Sequence, residues 1–127
     1  MSLGNVPPDT LVDAVEKLLA KMDEPVLAAI YERELAVMPP EVTRAFVEAL
    51  FAAFRDRGES SEDAAEGAGT TLQSIERTEP DAIRALVVYA RGNPDLLKEA
   101  TAIFVEARPE LVTALPAALR EALAERL

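Results

Sequence analysis

Few side chains in this sequence could carry a reaction, and those few are scattered. The densest acidic stretch runs from Gly58 to Thr70. It holds Glu59, Glu62, Asp63 and Glu66 with no basic residue and no large apolar one. Carboxylates hold a hard cation when the chain wraps them around one point, as in an Asp-x-Asp-x-Asp-Gly calcium loop. That order is absent, so the reading is a solvated charge cluster. Glu32 and Glu34 stand two apart on a helical stretch and point to different faces, which prevents them from acting as one acid/base pair. Gly67-Ala68-Gly69-Thr70-Thr71 lacks the lysine that a phosphate-binding loop needs.

The residue types that are missing exclude more. There is no His and no Cys. Without them there is no imidazole base, no Ser-His-Asp arrangement, no thiolate nucleophile and no Cys/His zinc site. The expectation is a protein without catalytic residues, cofactor or metal. One constellation remains for a small ligand. Arg84 is the only charge between Ala82 and Ala90, and Tyr89 is close to it in sequence. Together with Phe104 they could line an internal pocket for a small anion. The plainer reading is that Arg84 marks the exposed edge of its helix.

Acidic residues number 23 against 13 basic ones, for a net charge of −10. Nucleic acid needs clustered Lys and Arg, and an anionic membrane surface needs them too, so neither is expected as a partner. No secretory leader and no apolar run of about 18 residues is evident, and a cytoplasmic location is the default expectation. At 127 residues the chain is one domain, large enough for a core without staples.

The elements that would position these residues read as helices throughout. The chain has 50% hydrophobic residues and abundant alanine. The expectation is an all-α bundle of six or seven short antiparallel helices around a central apolar helix at about 80–91. Residues 1–7 are expected to be loose, and 8–127 to form the domain. Pro8-Asp9 opens a first helix whose stripe is Leu11, Val15, Leu18 and Leu19. Asp23 reads as the cap of a second, stopped by Pro39-Pro40. The third runs from Pro40 to about Arg57, closed by Gly58, and holds Phe46, Phe51 and Phe54. Residues 58–70 read as a mobile loop with some helix, capped by Ser60 or Ser61. Thr78-x-x-Asp81 approximates a capping box for the central helix. Asn93 reads as the cap of the next helix, with the face Leu96, Leu97, Ala100, Ile103 and Phe104. A final leucine series, Leu111, Leu115, Leu119, Leu123 and Leu127, is interrupted by Pro116, which must kink or split it. The recurring Pro-acid pairs read as shared capping chemistry rather than as a repeat, because their spacing is irregular.

The apolar surface on these helices exceeds what one small domain needs. Val47 and Phe51 widen the stripe of the third helix, and Leu119 and Leu123 belong to a series that drifts around its helix. These four are the candidate interaction surface. The expected function is a non-enzymatic protein–protein interaction module of adaptor, chaperone-like or regulatory kind, with a homodimer as the expected assembly. The rival is a small-molecule sensor built on Arg84, Tyr89 and Phe104.

Overall fold

The computed structural model describes residues 5–126. It is the all-α bundle that the sequence implies. Of the start expected to be loose, residues 1–4 lie outside the described residues, and Val6 is buried in the core. Leu127, the last of the leucine series, also lies outside them.

Helix α1 spans Pro8–Lys21, with proline in its first turn and Leu11, Ala14, Val15, Leu18 and Leu19 buried. Helix α2 spans Glu24–Glu34 and tightens into a 310 turn at Leu35–Val37. Asp23 occupies its N-cap position, but the carboxylate makes no cap hydrogen bond. Proline at the second helical position leaves one orphan donor fewer to satisfy. Helix α3 spans Pro40–Asp56. Its Thr43 hydroxyl donates to the Leu35 carbonyl at 2.9 Å, holding the 310 turn against the helix start.

Gly58, at φ 84°, ends α3. The acidic segment then forms helix α4, Ser61–Gly67. Ser60 Oγ accepts from the Asp63 N–H at 3.1 Å, and the paired alanines Ala64 and Ala65 are buried. Helix α5 is five residues long, Leu72–Glu76, and Thr71 Oγ accepts from the Ser74 N–H.

Helix α6 spans Pro80–Arg91. Thr78 does not cap it. Thr78 has φ 54°, and its N–H donates to Ile75 O, so it closes α5 instead. Glu79 is the N-cap and makes no side-chain cap bond. Asn93 likewise belongs to the end of α6: its Nδ2 donates to Tyr89 O at 3.2 Å. Helix α7 spans Leu96–Ala107, entered from Asp95 at φ 62°. Pro116 splits the last segment into a 310 turn, Pro109–Ala114, and helix α8, Ala117–Glu125. The missing N–H and fixed φ of proline suit the N-cap position that Pro116 takes.

The bundle closes on α3 and α7. Arg108 at the end of α7 pairs with Glu41 at the start of α3 at 3.3 Å. Arg57 at the end of α3 pairs with Glu99 near the start of α7 at 3.6 Å. The two helices are therefore antiparallel. Phe46 and Phe104 meet edge to face between them, with centroids 5.7 Å apart. Around this pair, α6 packs on α2, α4, α5, α7 and the 310 turn that follows α2. The inner face of α6 (Ala82, Ile83, Leu86, Val87, Ala90) is fully covered, while Val88 and Arg84 look outward. An ion pair from Arg91 to Glu32, 2.8 Å, ties the last turn of α6 to that of α2.

The α3–α7 pair carries a pattern that the proline comparison misses. Glu41-x-Thr43-x-x-Phe46-Val47-Glu48-Ala49 recurs as Glu99-x-Thr101-x-x-Phe104-Val105-Glu106-Ala107. The burial repeats as well. Thr43, Phe46 and Val47 are buried, and so are Thr101, Phe104 and Val105. The two copies lie antiparallel across their own phenylalanines, the arrangement of a local two-fold axis between one helix and its duplicate.

Candidate functional site

The clearest recess with an apolar floor lies between α3, α4 and α5. Val47 and Phe51 of α3 and Ile75 of α5 form the floor. Leu72, half-buried, forms one wall, and Arg44, Glu48, Ser61 and Glu76 form the rim. The recess measures about 260 Å³. That is below the range of drug-sized ligand sites, and it is open along one side, which suits inserted side chains better than an enclosed ligand. Its polar groups stand at the edge. Among the described residues Arg44, Glu48 and Glu76 join no ion pair within 4 Å, so their charges face outward unpaired.

Of the four residues expected on an interaction surface, the structure brings two to this recess. Val47 and Phe51 are in it. Leu119 and Leu123 are not: they are 2% and 1% exposed, on the inner face of α8, which packs on α1. Their drift around the helix does not expose them, because the split at Pro116 leaves a short α8 that needs only this face. The surplus apolar surface is thus mostly used inside the chain. Among the described residues the exposed large hydrophobic side chains are Val26, Val37 and Val88. Leu72 and Ile75 read in the sequence as inward positions of a helical stretch from Thr70 to Arg77, and α5 does bury Ile75, but nothing in the sequence joins them to α3. The rim charges, Arg44 and Glu48 of α3 and Glu76 of α5, carry no sequence signal of their own.

The residues of the anion-pocket reading do not come together. Arg84 is 54% exposed and reaches Asp81 of its own helix at 3.8 Å. It shares a broad, shallow depression with Gly67, Ala68, Val88 and Tyr89. Phe104 is elsewhere, buried against Phe46. Tyr89 serves the fold. Its ring stacks on Phe54 at 5.6 Å, its hydroxyl donates to the Glu59 carboxylate, and Gly67 lies flat against it. A methyl group on Gly67 would stand 2.5 Å from the ring. The hydrogen bond to Glu59 raises the Tyr89 pKa, since loss of the phenol proton would set two negative oxygens face to face.

Inside the bundle, Tyr31 OH lies 2.6 Å from Thr101 Oγ. Thr101 Oγ spends its own proton on Leu97 O at 2.8 Å, so Tyr31 is the donor. Full burial raises the Tyr31 pKa, which keeps the phenol neutral. One carboxylate is less well served. Glu24, in the first turn of α2, points at the start of α7, near Lys98, Asp95 and Arg57. Burial raises its pKa, and neither oxygen completes a hydrogen bond, although the Leu97 N–H is near.

Among the described residues no three acidic side chains converge in a way that could hold a metal ion. No helix among them is long and apolar enough to cross a membrane. Comparisons with protein-family models, with curated proteins and with solved structures found no match to this chain.

Proposed function

We propose that the protein is a non-enzymatic interaction module, a cytoplasmic adaptor or regulatory domain that binds protein through the groove on α3. The observation that carries this reading is the groove itself: an apolar floor of Val47, Phe51 and Ile75 inside a rim of unpaired charges. Interfaces are built in this way, with a water-excluding centre and a polar edge. The absence of His and Cys supports it further, because the commonest bases and nucleophiles are missing. Assembly as a homodimer is proposed only through the same surface, since Leu119 and Leu123 of α8 are buried inside the chain.

The test is an affinity capture with wild type and Leu72→Glu, read by mass spectrometry with both baits confirmed folded by circular dichroism. Leu72 is half-exposed, so the new charge reaches solvent in the free protein and enters the groove only when a partner covers it. The expected result is a protein retained near one-to-one by wild type and lost with the variant. Retention of the same set by both baits would sink the reading.

A further inference from the structure

We infer that the occupant of the α3 groove is an amphipathic helix of a basic partner protein, lying on α3 as α1 lies on α7. This rests on the interaction reading above and gives the partner its chemistry.

The argument starts from the repeated Glu-x-Thr-x-x-Phe-Val-Glu-Ala pattern. It places Arg44, Val47 and Glu48 of the groove in register with Ala102, Val105 and Glu106 of α7. On α7 that face is covered. Helix α1 packs along it and Val105 is completely buried, although a shallow depression stays open where Leu19 and Ala20 face Lys98 and Ala102. The covering element is 14 residues long and presents Leu11, Val15, Leu18 and Leu19 from one side. That spacing is the anchor pattern of a helix seated in a groove.

On α3 the corresponding cover is incomplete. Its counterpart is two short elements, α4, which packs on α3, and the five-residue α5, which supplies Ile75 and half-buried Leu72 and then stops. The groove is the space left beside it. The same helical surface is therefore displayed twice, once under a 14-residue helix and once under two short helices that bury Val47 and Phe51 but leave a groove beside them. The shape that fits the open copy is two to three turns of helix carrying aliphatic side chains at i, i+4 and i+7.

Charge selects among such helices. The rim offers Glu48 and Glu76 against Arg44, none of them in an ion pair among the described residues, and the chain carries −10 overall. A helix with Lys or Arg flanking its apolar stripe is attracted over distance and finds two carboxylates at contact. An acidic helix is repelled on both counts.

The probe is a fluorescein-labelled peptide of residues 8–21 bearing Asp9→Lys, Asp13→Lys and Glu16→Lys, which keeps the α1 stripe and makes its polar face basic. A scrambled peptide of the same composition controls for charge. The expected result is binding at least about tenfold tighter than the scrambled peptide, weakened about tenfold by Leu72→Gln. Amide shift changes are expected in α3, α4 and α5. Equal binding of the two peptides, or none, would overturn the proposal, as would shifts confined to α7 and α8, which mean displacement of α1. Sedimentation of wild type and Leu72→Gln covers the remaining occupant. A wild-type dimer that dissociates in the variant would assign the groove to a second copy of the chain and end the partner-helix proposal. If the capture experiment succeeds while the peptide fails, the interaction reading stands and only the helical occupant falls.

Discussion

At the scale of single residues, the buried Tyr31–Thr101 pair gives an asymmetric expectation. Tyr31→Phe removes a donor, yet Thr101 still donates to Leu97 O, so nothing buried is left unpaired. The cost is about 1 kcal/mol. Thr101→Val strands the Tyr31 hydroxyl in a fully buried site and costs about 1–3 kcal/mol. Urea unfolding of both single variants and the double should show the double no less stable than Thr101→Val alone. A double variant that loses the sum of the two would mean that the hydroxyl finds another partner. Glu24 makes the opposite case, a group the fold carries at a cost. Burial raises its pKa, so the folded state holds the proton more tightly than the unfolded one. Its contribution favours folding when protonated and is lost as pH rises through the folded value. Glu24→Gln is therefore expected to raise the melting temperature at pH 8, with the gain shrinking as the pH is lowered toward 4. A pH-independent difference would show that desolvation is not the cause. Neither residue is legible from sequence, because partner and environment both come from helices far along the chain.

At the scale of elements, the helices themselves are legible and their ends are less so. Stripes such as Leu11-Val15-Leu18-Leu19 read directly, because burial on one side imposes the 3.6-residue period. Prolines fix starts at Pro8, Pro40 and Pro80, and Ser60 caps α4 through the Asp63 N–H. Thr78 misleads because its neighbours allow two uses. The same threonine can begin α6 or finish α5, and the five-residue α5 needs a left-handed residue to turn the chain. A β-branched side chain is poorly suited to φ 54°. Thr78→Gly is thus expected to stabilise by about 1 kcal/mol, relieving that strain against the extra freedom of the unfolded chain. Thermal unfolding of the variant checks it. A loss of stability would mean that the Thr78 hydroxyl, which donates to Arg77 O at 2.7 Å, outweighs the strain. Phe51 and Val47 were readable as surplus apolar positions on α3, but their groove was not. It exists because α5 is short, and a missing cover leaves no trace in the residues it fails to cover.

At the scale of the whole molecule, the pairing of α3 with α7 decides how the chain unfolds. The first four helices and the last four meet through Phe46 and Phe104, through α2 against α6, and through α1 against α7 and α8. Tyr31 of the first half bonds to Thr101 of the second. Tyr89 of the second stacks on Phe54 of the first. Neither half has a core that the other does not complete, so partial unfolding would expose Phe46 or Phe104 and several leucines at once. Exposing one such side chain costs about 1.5–3 kcal/mol, a large part of the total stability of a domain this size. The chain is expected to unfold in one step. The two tyrosines allow a direct check, since there is no Trp to obscure them. In Tyr89→Phe the near-ultraviolet signal reports Tyr31 alone, and in Tyr31→Phe it reports Tyr89 alone. Within each variant, the urea midpoint of that signal should coincide with the midpoint of helix loss. A tyrosine signal that vanished well before the helices would show one half opening alone. The α3–α7 pair would then be a contact between two separable units, and the duplicated pattern would mark a seam in the molecule rather than its centre.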